Sequence, residues 1–139
     1  MDLSAAALEM TRTHLGSLAD QVDWIVADAG DWTPSKKYAV WHDRAAFHFL
    51  TEPAQRQGYM DRLRAAIDPG GHVIIGTFAL DGPEKCSGLP VARHDADSLT
   101  DTLGDDFKLI DTRWHDHLTP WSTSQKFQFS TFVRRPSAP

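Results

Sequence analysis

Apolar residues open the chain at helical spacing: Leu8, Leu15 and Leu18 share one face, and Ser4 stands where a cap belongs. Leu3 and Leu8 flank that cap as a hydrophobic staple, so a helix is expected from about Ala5 to Gly16 or Leu18. The pattern then shortens. Val22 to Ala27 is an apolar run that meets the turn residues Asp28-Ala29-Gly30-Asp31, which predicts a strand. Lys36-Lys37 leads into a second predicted strand, Tyr38 to Asp43, followed by a helical turn over Ala45 to Leu50. Thr51 and Pro53 open a stronger helix with Tyr59, Met60, Leu63 and Ile67 on one face, and Pro69-Gly70-Gly71 stops it.

His72 to Leu80 is nearly continuous in apolar and small residues, the pattern of a strand buried on both faces at the centre of a sheet. Asp81 to Arg93 carries Gly82, Pro83, Gly88 and Pro90 and reads as a loop leaving that strand's carboxyl end. Leu99 and Leu103 mark a short helix closed by Gly104. Phe107 to Leu118 and Lys126 to Val133 alternate as strands, and the short linker Thr119-Pro120-Trp121-Ser122 makes them an antiparallel pair, with Trp114 and Trp121 expected to pack it. The whole is an α/β domain spanning residues 1–133, with a frayed tail from Arg134 to Pro139. In open sheets of this class ligands sit beyond the carboxyl ends of parallel strands, which directs attention to Asp28 and to residues 42–48.

Composition narrows the function classes. The 139 residues suffice for one domain with a core of its own, and 41% hydrophobic with 24% charged residues is ordinary for a globular protein. Lys and Arg number 14 against 19 Asp and Glu, a net charge of -5 without long single-sign runs, which disfavours a nucleic-acid partner. The one cysteine, Cys86, excludes an intrachain disulfide framework and fits a reducing, cytoplasmic setting. The N-terminal segment has neither the pattern of a signal peptide nor that of a membrane span.

Four ionisable residues crowd the exit of the second strand: His42, Asp43, Arg44 and His48. Strand geometry turns His42 and Arg44 one way and Asp43 the other. If helical geometry begins at Arg44, it shares a face with His48. The cluster suits proton transfer, since an unperturbed imidazole titrates near neutrality. It equally suits a bond from Asp43 to Arg44 or His48 that only fixes the loop. His115 and His117 stand two apart on a strand, a spacing found in some metal sites, but no Cys-x-x-Cys or His-x-x-x-His accompanies them. Cys86 follows Lys85 in the loop over the same crevice, where either a substrate contact or an inert thiol fits.

This order of helix, strand ending in Asp28, strand ending in Trp41-His42-Asp43-Arg44, helix, Pro69-Gly70-Gly71 turn, buried strand and terminal hairpin resembles the class I S-adenosylmethionine-dependent methyltransferases. The segment after Trp41 is reminiscent of the small-molecule subgroup that includes thiopurine and tellurite methyltransferases. The resemblance implies a partial Rossmann-like sheet, mostly parallel with a C-terminal antiparallel hairpin. It implies S-adenosylmethionine as cofactor, with Asp28 accepting a bond from the adenine amino group, Ala29 and Trp32 beside it, and Asp2 as a remnant of the residue that holds the ribose. It casts His42, Asp43, Arg44 and His48 on the acceptor side, and it implies a small-molecule substrate.

One departure is large. None of the nine glycines forms the glycine-rich strand-to-helix loop that wraps the cofactor's methionine end in that family, so the chain reads as an N-terminally truncated form. In the family sheet the strand after Asp28 has a neighbour that is missing here. Its bare edge is expected to be covered by direct pairing with Val22 to Asp28 or by a second copy of the chain. The alternative to methyl transfer is a non-catalytic dimeric binding or assembly protein using the remnant crevice, with a metal among its candidate ligands.

Overall fold

The computed structural model describes residues 1–136. Its main sheet has four strands: β1 (Tyr38–Arg44), β2 (Ile67–Phe78), β5 (Phe107–Leu118) and β6 (Ser124–Arg134), in spatial order β1-β2-β6-β5. Two short strands, β3 (Lys85–Cys86) and β4 (Leu89–Pro90), form a separate hairpin in the loop after β2. Because β1 and β2 are parallel while β6 is antiparallel to both β2 and β5, three of the four main strands run one way and β6 alone is reversed. The α/β sheet with a C-terminal antiparallel hairpin is thus the one expected, and β2 lies inside it.

Helices α2 (Pro53–Ala66) and α3 (Ala96–Leu103) cover one face of this sheet. The core between them joins Tyr59, Met60 and Leu63 of α2, Leu99 and Leu103 of α3, and the strand residues Val73, Ile75, Phe107 and Phe132. The starts of both helices follow from local chemistry. Pro53 occupies the first turn of α2 and Gln55 Oε1 accepts from the Glu52 N–H at 3.0 Å. Asp95 caps α3 through the Ser98 N–H at 2.8 Å.

α2 runs straight into β2, and the Pro69-Gly70-Gly71 segment is a bulge inside the strand rather than a turn ahead of it. Tyr38 pairs with Ile67 and Val40 with His72, so one residue of β1 spans four of β2. Gly70 sits at φ +86°, and a Cβ on Gly71 would stand 3.0 Å from the Asp68 carbonyl oxygen and 3.2 Å from that of Ala39. The strand is buried from Ile75 to Phe78, while His72 at its other end is exposed.

Ser4 Oγ accepts from the Ala7 N–H at 3.2 Å and starts helix α1 (Ala5–Leu15), which stops at Gly16. The helix buries none of its residues, and Leu3 is exposed, so the expected staple buries nothing. Three other expectations are corrected. Val22 to Ala27 forms only an isolated parallel bridge, Asp2 with Val26, because its alternate residues Val22 and Val26 face solvent with no ladder to shield them. It therefore does not pair with β1, whose outer edge carries no strand among the described residues. Trp114 and Trp121, expected to pack the hairpin, are 62% and 84% exposed, since no helix covers their side of β5 and its turn. The tail is ordered further than expected: Arg134 lies in β6, where its guanidinium donates to the Arg64 and Ile67 carbonyls, and the Arg135 N–H donates to Asp106 O at 2.8 Å. Residues 137–139 of that tail lie outside the described residues.

Candidate functional site

Asp28 begins a tight turn. Its Oδ1 accepts from the Gly30 N–H at 2.7 Å and its carbonyl accepts from the N–H groups of Asp31 and Trp32 at 3.1 and 2.9 Å. One carboxylate oxygen is therefore spent on the turn; the other has no partner among the described residues. The turn leans on α2 at Gly58, and a Cβ there would lie 3.4 Å from the Gly30 carbonyl oxygen.

Between turn and helix lies a cleft of about 390 Å³ lined by Asp28, Gly30, Asp31, Leu50, Ala54, Gln55, Gly58 and Arg62. Arg62 Nε is buried in its wall without a hydrogen-bond partner. Of the residues assigned to the cofactor side, only Asp28 lines this cleft. Ala29 packs against the hydrophobic core. Trp32 packs obliquely on Tyr38 and Trp41, ring centroids 6.1 and 6.3 Å away. Asp2 accepts from the Ser4 N–H at 2.8 Å at the head of α1.

The exit of β1 shows the alternation expected of a strand, with Asp43 buried and His42 and Arg44 exposed. Asp43 is the anchor of a closed network. Its carboxylate accepts from the N–H of Ala46 at 3.0 Å, from the N–H of Phe47 at 3.1 Å and from the Tyr59 hydroxyl at 2.6 Å. The Tyr59 oxygen in turn accepts from the Trp41 indole N–H at 2.7 Å. Burial pushes the Asp43 pKa up while these donors pull it down, and the same burial, with the Asp43 charge, holds the Tyr59 hydroxyl protonated. Asp43 thus pins strand, helix and turn together, and neither of the pairs envisaged from sequence, with Arg44 or His48, is formed.

Arg44 and His48 do not share a helical face. Ala45 takes φ +62°, a left-handed conformation unfavourable for a residue with a side chain, and its N–H donates to Gly76 O at 2.9 Å. That reversal sends the two side chains apart. Arg44 lies over the Phe127 ring, 5.2 Å from its centroid, on the sheet face where His42 also emerges. His48, in the 3₁₀ turn Phe47–Phe49, is fully buried with its ring 4.6 Å from Phe49 and 4.8 Å from Phe78. Burial, helped by the nearby His94, lowers its pKa to about 4.

His94, Tyr59 and Arg62 are site residues that the sequence reading passed over. Tyr59 read as helix core, although a buried tyrosine hydroxyl ordinarily needs a partner. His94 precedes the Asp95 cap of α3, is nearly buried, and has its pKa lowered by burial and by the Arg56 charge. His115 and His117 lie with ring centroids 6.5 Å apart, and among the described residues no three His, Cys, Asp or Glu side chains are grouped to hold a metal ion. Cys86 is half-buried in β3.

No protein-family model matches the sequence. Over 81 residues the chain is 27% identical to malonyl-[acyl-carrier protein] O-methyltransferase 2 of Ilyobacter polytropus, a match covering 58% of this chain and 30% of that protein. The chain thus spans less than a third of the curated relative's length. Among solved structures, the N-methyltransferase NodS of Bradyrhizobium japonicum superposes with a TM-score of 0.72 at 11% identity, covering 97% of this chain and 71% of NodS. A SAM-dependent methyltransferase of Methanosarcina mazei gives 0.68 at 13% identity, covering 96% and 80%. The 1,6-didemethyltoxoflavin-N1-methyltransferase of Burkholderia thailandensis, solved with its substrate and S-adenosylhomocysteine, gives 0.68 at 16% identity, covering 92% and 56%. With a sheet in which β6 alone is reversed and helices α2 and α3 on one face, the chain has the fold of the class I S-adenosylmethionine-dependent methyltransferases.

Proposed function

We propose that the chain takes part in S-adenosylmethionine-dependent methyl transfer to a small molecule. The observation that carries this reading is the Asp28 turn: within a methyltransferase fold, it leaves one carboxylate oxygen unpartnered at the edge of a cleft of about 390 Å³. A carboxylate there suits an adenine amino group, and the Arg62 side chain is part of the same lining. The fit covers the adenine half.

When bound, the cofactor supplies an electrophilic methyl group. The chain's own residues then have three tasks. The Asp28 turn holds the base. The Asp43 network holds the exit of β1 and the turn after it rigid. His42, exposed at the strand exit, takes the proton of an O–H or S–H acceptor, with Arg44 as anchor on the same face. Calorimetric titration with S-adenosylmethionine and S-adenosylhomocysteine tests the reading. Saturable binding that weakens at least tenfold in Asp28→Ala supports it; no heat of binding at millimolar ligand overturns it.

A specific observation favours a second, compatible reading, self-association. The outer edge of β1 carries no strand among the described residues and Val40 on it is 53% exposed, an arrangement that pairs readily with another strand. Sedimentation equilibrium that shows only monomer across the micromolar range rejects it.

A further inference from the structure

The sheet has two edge strands, β1 of 7 residues and β5 of 12. β5 pairs with β6 along its length, and no strand lies on its other side among the described residues. Such an edge is a row of unused backbone donors and acceptors, open to a further strand unless side chains repel it. Two apolar side chains on β5 are poorly covered: Ile110 is 49% and Trp114 62% exposed.

The order of charges on β5 selects the strand that fits. When two copies of one strand pair antiparallel about a two-fold axis, one residue faces itself and the residues flanking it face each other's copies. Around Thr112 the flanking residues are Asp111 and Arg113, and the next pair outward is Ile110 and Trp114. A second copy therefore sets each Asp111 opposite an Arg113 and each Ile110 opposite a Trp114. Opposite charges directly across a ladder stabilise it and like charges destabilise it. Within one chain Arg113 Nε already donates to Asp111 Oδ2 at 2.9 Å. Four charges thus alternate in sign around the axis, each with one opposite neighbour on its own strand and another across. Other registers lack this match. An axis at Asp111 or at Arg113 sets that charge directly against its own copy, and an axis at Trp114 sets Arg113 against His115.

We propose that β5 is an interface between two copies of this chain, joined antiparallel about Thr112 into one continuous sheet. The same charges that repel a strand of unmatched sequence admit this one. The bulge between Leu109 and Asp111 confines the ladder to the residues around the axis. No residue of β5 lines the cleft beside Asp28, so the pairing leaves that lining unchanged. β1 and β5 are opposite edges of the sheet, and the inference rests neither on a contact at β1 nor on cofactor binding.

Sedimentation equilibrium of the wild-type chain, Asp111→Arg, Arg113→Asp and an equimolar mixture of the two variants tests it. Each substitution gathers four like charges at the axis, so each variant alone is expected to raise the dimer dissociation constant about tenfold or more. In the mixture one strand carries two arginines and the other two aspartates, and a heterodimer is expected at concentrations where neither variant pairs alone. The Arg113 and Asp111 side chains are 81% and 48% exposed, so the fold tolerates both changes, and unchanged urea midpoints in dilute solution verify this. A wild type that stays monomeric through the micromolar range overturns the proposal, as do variants that associate like the wild type or a mixture that remains monomeric. Val40→Lys separates the two edges. Association that is lost in Val40→Lys and kept in both charge variants places the contact at β1 and overturns the β5 interface.

Discussion

Replacing Tyr59 with phenylalanine removes one oxygen atom from the centre of the domain and breaks two bonds. The ring keeps its place against Trp41 and Phe47, at centroid distances of 5.4 and 4.9 Å, so apolar contact is preserved. What is lost is the 2.6 Å bond to Asp43 and the acceptor for the Trp41 indole, at 2.7 Å. A bond to a charged group contributes about 1.5–3 kcal/mol, and the half-buried indole N–H adds a smaller cost, so Tyr59→Phe is expected to destabilise by about 2–4 kcal/mol. With a urea m-value of about 1–3 kcal/mol/M, the midpoint falls by about 1–2 M. The loss also has a pH signature. Burial raises the Asp43 pKa in the folded state above its ordinary value of 3.8, so the native state holds more protons than the unfolded one across that interval. Stability therefore falls as pH rises through it and is level above. The Tyr59 hydroxyl opposes that rise, hence its removal widens the interval upward and costs more at pH 7 than at pH 3. Urea titrations at both pH values decide. A loss below about 0.5 kcal/mol, or an equal loss at both pH values, refutes the buried network, since simple repacking has no reason to follow the Asp43 charge.

Three further outcomes are expected. His48 titrates at about 4 when folded against 6.5 when unfolded, so its contribution is complete above pH 6.5 and is lost as pH falls toward 4. The interval between the two values corresponds to at most roughly 3 kcal/mol, and the pH dependence of the urea midpoint should flatten in His48→Phe. Gly71→Ala drives a Cβ against the Asp68 and Ala39 carbonyls and the Ile67 side chain at the bulge of β2, with an expected loss of about 2 kcal/mol or more in thermal or urea unfolding. If β1 is the contact between copies, Val40→Lys shifts sedimentation toward monomer and leaves the urea midpoint nearly unchanged at concentrations where the wild type is monomeric, because Val40 is mostly exposed in the single chain.

Local chemistry was the most legible part of the sequence. The Ser4 cap, Pro53, the apolar stripe of α2 and the alternation in β5 and β6 each act within a few residues, so short windows reveal them. Val22 to Ala27 misled because an apolar run becomes a strand only with a neighbour to pair with, and neighbours are a property of the whole sheet. The alternation of buried and exposed residues at the exit of β1 was readable. Its partners were not readable. Asp43 is satisfied by Tyr59, sixteen positions on, and the His48 carbonyl meets the Ala92 N–H only because the loop after β2 folds back. The helical pairing of Arg44 with His48 failed on a single torsion, that of Ala45, which no propensity for alanine would have suggested.

Gly58 and Tyr59 are consecutive residues of α2, yet one borders the Asp28 turn and the other holds Asp43. Helix α2 is therefore a lever with two short arms. A displacement of the helix at Gly58 carries the neighbouring Tyr59 hydroxyl away from Asp43. The turn that carries His48 hangs from the same carboxylate through two backbone N–H groups. Loosening of the helix at Gly58 is therefore expected to speed amide exchange at Ala46 and Phe47, whose N–H groups that carboxylate holds.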